Sequence, residues 1–254
     1  IQVRVRGTGE GSAGGRDHAH FSSSGDRVRA VSDRVLVVCA SRNRSFLLKD
    51  MLESMLNTSV NADIGIYLDE DNEHEYDEIR DSSGPRVSFI VGPRIGHVPA
   101  LNEVARRFPG YIAYGLATDD SLFLTPGWDV WAISTARQFR GGIGTFSPYF
   151  GKEGRNDFPW VTGGWIKAVG SYGLTESKFY YWDIAIRALG ELAECVVYAK
   201  KGEFAMEHLT YLGTPDEPNR DLSIACFVDA KRTCIWFYDD VRDLVQRIRD
   251  IRGS

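Results

Sequence analysis

At 254 residues the chain can hold one domain with a sizeable core, and two full domains would be cramped. A formal charge of -5 argues against a nucleic-acid binder that works by broad phosphate contact, and no apolar run is long enough to cross a bilayer. The four cysteines, Cys39, Cys195, Cys226 and Cys234, form no CxxC pair. That excludes a zinc knot of the usual spacing and leaves reduced thiols in a cytoplasmic setting as the expectation.

Residues 1–33 are rich in Gly, Ser and Arg and read as a disordered leader. They contain Gly9-Glu10-Gly11-Ser12-Ala13-Gly14, which spells GxGxxG. That pattern signals dinucleotide binding only between a buried strand and a helix, and the flanks here are charged or serine-rich. We read it as a decoy.

The folded domain is expected over 34–254. Val35-Leu36-Val37-Val38-Cys39-Ala40 is a continuous apolar run, as in a central strand covered on both faces. A polar turn, Ser41-Arg42-Asn43-Arg44-Ser45, follows. Leu48, Met51, Leu52, Met55 and Leu56 then recur at helical spacing. Ile64-Gly65-Ile66-Tyr67-Leu68 predicts a second strand, ending in Asp69-Glu70-Asp71. Val87-Ser88-Phe89-Ile90-Val91 predicts a third, closed by Gly92-Pro93. A helix is expected over 98–107. A fourth strand, Tyr111-Ile112-Ala113-Tyr114-Gly115-Leu116, runs into Thr118-Asp119-Asp120.

Residues 141–164 are rich in glycine and aromatics, with turn signals. Residues 177–189 read as helix and 195–199 as strand. Over 229–252, Ile235, Tyr238, Val241, Val245 and Ile248 share one helix face. We read that segment as an amphipathic terminal helix packed on the domain.

Strands alternating with helices imply right-handed crossovers and a mainly parallel α/β sheet. Ligands in such sheets sit beyond the carboxyl ends of the strands. Ser41-Arg42, Asp69-Glu70-Asp71 and Asp119-Asp120 all fall there. Two adjacent carboxylates repel unless solvent or a cation offsets them, and Mg²⁺ or Mn²⁺ takes oxygen ligands and bridges to phosphates. The alternative is a solvated turn with Asp120 as a cap.

Several further features carry a resemblance when taken in order with those already named. They are Val91-Gly92-Pro93-Arg94-Ile95-Gly96, Ala100-Leu101-Asn102-Glu103, Thr118-Asp119-Asp120, Thr125-Pro126-Gly127-Trp128-Asp129, Tyr181-Trp182-Asp183 and Glu207-His208. Over residues 34–220 the chain resembles GT-A glycosyltransferases of the large family-2 type, especially the short glycosyltransferase-like proteins of phage genomes. The resemblance implies a Rossmann-like GT-A sheet and a nucleotide-sugar donor, with a UDP-sugar foremost. It also implies Mn²⁺ or Mg²⁺ as cofactor and inversion by single displacement. Ser41 and Arg42 would lie against the nucleotide, Asp69 would meet the base, and Asn102 would start a helix face under the donor. Asp119 and Asp120 match the DxD-type motif, with Asp120 as metal ligand and His208 as a second ligand. Asp183 falls where the family carries its catalytic base. Thr118 stands where many members have an acid, and Trp182 where many have Glu.

Each residue also has a structural reading. Asp183 could be a helix-end carboxylate, His208 a strand-end histidine, and Arg94 and His97 either phosphate ligands or solvated loop residues. Gly163-Gly164-Trp165 could be a turn with a core Trp. We expect instead a backbone approach to the sugar at Gly164, with Trp165 as an aromatic platform. Two other functions stay open. One is a sugar-nucleotide nucleotidyltransferase, for which the turn after the first strand lacks glycine. The other is a non-catalytic protein that kept the fold. The acceptor, whether glycan, protein or modified nucleobase, is left open.

Overall fold

In the computed structural model, which describes residues 32–151, 158–173, 182–209 and 241–253, the chain enters at strand β1 (Ser32–Ser41). Val35 to Cys39 are each no more than 1 % exposed. Val35, Val37 and Cys39 join one apolar cluster, and Leu36 and Val38 join another. Side chains of period two in a doubly covered sheet must divide this way. β1 opens at Ser32 rather than at Arg34. The glycine-rich run at 9–14 and the cysteines Cys226 and Cys234 lie outside the described residues.

The order continues with α1 (Ser45–Thr58), β2 (Ala62–Asp69), a 3₁₀ turn (Glu73–Tyr76) and α2 (Asp77–Ser82). Then come β3 (Val87–Gly92), α3 (His97–Arg107), β4 (Tyr111–Leu116), β5 (Ser121–Phe123) and α4 (Trp128–Gln138). Next are β6 (Thr145–Ser147), β7 (Trp160–Thr162) and α5 (Gly163–Val169). The last described elements are α6 (Trp182–Leu192), β8 (Val196–Tyr198), β9 (Met206–His208) and α7 (Val241–Gly253).

Seven strands form one sheet in the order β3-β2-β1-β4-β7-β6-β8, and β5 pairs with β9 in a two-stranded ribbon. β3, β2, β1 and β4 run parallel, β7 is antiparallel to β4 and β6, and β8 runs parallel to β6. The expected mainly parallel α/β sheet flanked by helices is what forms. Leu48, Met51 and Met55 of α1 and Trp128, Ala132 and Ala136 of α4 cover one face. Val98, Leu101 and Val104 of α3, Trp165 of α5 and Ile186 and Leu189 of α6 cover the other.

α7 docks on the second face as expected for a packed terminal helix. Ile248 is fully buried, with Leu244 and Val245 against the same cluster. Its arginines add direction. Arg247 donates to the Ala168 carbonyl (3.2 Å), Arg249 to that of Leu192 (2.7 Å), and Arg252 to that of Ala193. These carbonyls close α5 and α6, where helices leave acceptors unsatisfied and carry partial negative charge. The part of the expected helix before Val241 lies outside the described residues, as does residue 177–181 of the helix expected at 177–189. α6 itself extends to Leu192.

Thr125-Pro126-Gly127-Trp128-Asp129 acts as a staple. Gly127 N donates to Thr58 O (2.7 Å), Trp128 Nε1 donates to Thr58 Oγ1 (3.1 Å), and Thr125 Oγ1 accepts from Ala205 N (2.9 Å). Asp129 is fully buried, and its Oδ2 accepts from the amides of Val60 (2.9 Å) and Asn61. It thereby fixes the turn between α1 and β2. Asp129→Ala should destabilise the fold by about 1–3 kcal/mol, the cost of leaving such amides without an acceptor. Urea unfolding of the two proteins measures this, and an unchanged midpoint would remove the staple role.

Candidate active site

β1 and β4 are in register, with Val38 opposite Leu116, so their carboxyl ends emerge together. Ser41 ends β1, and Thr118-Asp119-Asp120 follows β4. Ser41 Oγ donates to Asp119 Oδ2 at 2.8 Å and lies 2.9 Å from the Tyr76 hydroxyl. Since the one Ser41 proton goes to the carboxylate, Tyr76 is the donor in the second bond. Burial pushes the Tyr76 phenol up to about 12, so it keeps its proton. The same oxygen accepts from Arg44 N (3.3 Å), while Asn43 N donates to Asn72 Oδ1 (2.9 Å). The 3₁₀ turn therefore shapes the polar loop after β1.

The carboxylates are mostly buried, with Asp119 5 % and Asp120 7 % exposed. Arg44 Nη1 stands 3.3 Å from Asp119 Oδ1 and 3.3 Å from Asp120 Oδ2. His208 Nε2 stands 3.0 Å from Asp120 Oδ1, a buried oxygen left without a hydrogen bond. The β5–β9 ribbon makes this approach, with Ser121 opposite His208 and Leu209 N donating to Asp120 O at 2.8 Å. Neither three-residue strand has a sequence period to announce it.

The two acids are driven apart in pKa. Burial pushes the Asp119 carboxyl up to about 6, although Ser41 and Arg44 pull the other way. Burial also opposes ionisation of Asp120, but contacts with His208, Thr118 and Arg44 outweigh it and hold the group below its ordinary value. Asp120 is thus the better anion, which suits the ligand role expected for it. The Asp120–His208 pair, with its orphaned buried oxygen, fits two ligands of a divalent cation. Among the described residues no group of three His, Cys, Asp or Glu side chains forms a complete cage. Further ligands would have to come from the donor or from water, as is usual for Mg²⁺.

Beside this pair, Arg42 is held by Asp69 (3.1 Å) and by both carboxylate oxygens of Asp71. That bond with Arg42 lowers the Asp71 pKa, and Arg94 adds to the effect from its exposed loop. Ser41, Arg42, Asp69 and Arg94 therefore line one rim of the sheet's carboxyl edge.

Other expected residues fall elsewhere. Trp165 of α5 is fully buried in the apolar cluster on the second face of the sheet, so it presents no platform to a sugar. Gly164 packs on backbone of its own chain, and a Cβ there would lie 2.3 Å from Gly142 O. The structural reading of that motif takes both residues. Asn102 commits both ends of its amide to Gly173, donating to its carbonyl (3.0 Å) and accepting from its N–H (2.7 Å). It positions the chain ahead of α6 instead of offering a face to the donor.

Asp183 lies in the first turn of α6. Trp182 beside it is 3 % exposed and packs between the rings of His97 (6.5 Å) and Tyr172 (5.6 Å). Where the family pattern often has Glu, this chain has a hydrophobic anchor that sets α6 against the start of α3. Gly96, at φ 94°, makes the turn into α3 that brings His97 there.

His97 keeps part of its surface exposed, yet it sits among enough protein to feel strong desolvation. Burial lowers its pKa to about 4, against an opposing pull from Asp120. A histidine depressed on folding contributes stability that is present above its unfolded pKa, near 6.5, and is lost as pH falls toward the folded value. Stability should therefore drop between about pH 6.5 and pH 4. His97→Gln should remove about 1–3 kcal/mol of that drop. Urea midpoints at pH 7, 5.5 and 4.5 test it, and parallel pH profiles for the two proteins would refute the assignment.

No family model matches the sequence, and no curated protein matches it. Solved structures do match in fold. A mannosyltransferase from Pyrobaculum calidifontis, determined with GDP-Man and Mn²⁺, aligns over 86 % of this chain and 73 % of its own, with TM-score 0.57 and 11 % identity. S. aureus TarS, residues 1–349, aligns over 82 % and 72 %, with TM-score 0.52 and 9 % identity. GalNAc-T7, determined with UDP, GalNAc and Mn²⁺, reaches TM-score 0.65 at 10 % identity over 83 % of this chain. The present chain spans 49 % of that structure. The protein has the GT-A fold expected from its sequence.

Proposed function

We propose that the protein is a metal-dependent glycosyltransferase that moves a sugar from a nucleotide-sugar donor, a UDP-sugar foremost, to an acceptor hydroxyl with inversion. The observation that carries this reading is the buried Asp119–Asp120 pair at the carboxyl edge of the sheet, with His208 brought onto the orphaned oxygen of Asp120. The fold shared with structures determined with GDP-Man or UDP and Mn²⁺ supports it.

In this reading Asp120 and His208 hold Mn²⁺ or Mg²⁺, which when bound offsets charge developing on the departing diphosphate. Asp119 holds Ser41 in place. Asp69, Arg42 and Arg94 receive the nucleotide. Asp183 takes the acceptor proton, worth about 10²–10⁴-fold. The acceptor is open among a glycan, a protein, a modified nucleobase and a lipid-linked sugar. A cytoplasmic setting is part of the proposal and suits the buried free thiols Cys39 and Cys195.

A screen of UDP- and GDP-sugars for hydrolysis with Mn²⁺ tests it, with nucleoside diphosphate as the expected product. Pyrophosphate release would instead mark a nucleotidyltransferase. No Mn²⁺-dependent thermal shift with any nucleoside diphosphate would favour a non-catalytic protein on this fold.

A further inference from the structure

Arg44 was not among the residues expected at the site, yet it touches both acids. The four carboxylate oxygens of Asp119 and Asp120 each have a neighbour from this chain: Ser41, Arg44 twice, and His208. The one guanidinium nitrogen that bridges the pair therefore stands where the charge of a bound cation would act. A divalent ion held by Asp120 within a few ångströms of that charge would be strongly repelled.

We propose that Arg44 is an internal counter-ion for the acid pair, displaced by the cation and taken up by the donor's diphosphate, so that metal and nucleotide bind cooperatively. The inference rests on the metal-dependent reading above. Two features allow the exchange. The Arg44 backbone is fixed, since its N–H bonds to Tyr76 and its carbonyl accepts from Leu48 N at 3.0 Å as α1 begins. Its side chain is 32 % exposed and long enough to swing. A diphosphate arriving with the cation offers the planar guanidinium a paired acceptor. Arg42 is less suited to the role, because Asp69 and Asp71 already hold it.

Thermodynamic reciprocity makes the idea measurable. Mn²⁺ affinity is read by electron paramagnetic resonance or calorimetry, alone and with saturating UDP or GDP. In the unaltered protein Mn²⁺ alone should bind weakly, and the nucleotide should tighten it at least about 10-fold. Arg44→Gln should bind Mn²⁺ alone about 10-fold more tightly, and the tightening by nucleotide should shrink by a similar factor. Arg44→Lys, which keeps the charge, should bind Mn²⁺ alone as weakly as the unaltered protein. Thermal melting of both variants checks that they fold. If Arg44→Gln binds Mn²⁺ no tighter than the unaltered protein, or if the unaltered protein shows no metal–nucleotide coupling, the counter-ion role is wrong while the metal site survives. If no form of the protein binds Mn²⁺ under any condition, the metal-dependent reading fails and takes this inference with it.

Discussion

Asp120→Ala is expected to abolish Mn²⁺-dependent binding of nucleoside diphosphate, lowering affinity by at least about 100-fold, since losing even an outer-shell partner of a metal ligand costs 10–100-fold. Asp120 is the more strongly ionised of the two acids, and its Oδ1 is the buried oxygen with no hydrogen bond of its own. Alanine removes both. Asp119 cannot take over, because Ser41 already occupies one of its oxygens and burial pushes its pKa up to about 6. Folding should survive, since Arg44 keeps Asp119 as a partner. Calorimetry with UDP and GDP, with Mn²⁺ and with chelator, measures the effect. A variant that keeps its Mn²⁺-dependent affinity would show that Asp120 is only a turn carboxylate. His208→Ala should weaken binding by a smaller factor, because the side chain is 42 % exposed and water can replace its nitrogen as a ligand.

The sheet was legible because its central strands are buried on both faces and so read as unbroken apolar runs, as at Val35 to Cys39. Their carboxyl ends were legible for the same reason, since polar clusters after such runs must face the one open edge. What the sequence hid depends on contacts between distant segments. His208 could be placed beside Asp120 only through a family likeness, because β5 and β9 are three residues each and lie far apart in the chain. Trp165 shows the opposite failure. A glycine pair before a tryptophan is the same string whether the close neighbour is a sugar or the chain's own backbone, and here it is Gly142. Asn102 was placed under the donor through the family likeness, but its partner Gly173 lies in a loop that no local pattern links to it. Arg44 stood in a turn marked as polar. Asn43 turns left-handed there at φ 55°, and the next residue, Arg44, is the one that reaches the acids.

Asp183→Asn should lower sugar transfer by about 10²–10⁴-fold while donor binding and stability stay close to those of the unaltered protein. The change keeps the size of the side chain and removes its capacity to accept a proton. The groups proposed to hold metal and nucleotide come from β9 and from the ends of β1, β2, β3 and β4, and Asp183 comes from α6, so donor affinity has no reason to follow the mutation. The position of α6 has apolar support of its own. Trp182 anchors its first turn between His97 and Tyr172, and Ile186 and Leu189 bury its inner face. Apolar packing of these residues holds the helix on which the proposed base sits. If Asp183 only offsets the positive end of the helix, Asn should cost about 0.3–1 kcal/mol of stability and leave turnover nearly intact. The two cases move different quantities, so melting temperature, donor affinity and turnover of one variant separate them. The pH profile adds a further readout. With a carboxylate base, turnover should rise with pH through the base's pKa and then level off, and Asp183→Asn should lose that rise along with the rate. Turnover near that of the unaltered protein would remove Asp183 from the reaction and leave single displacement without its base.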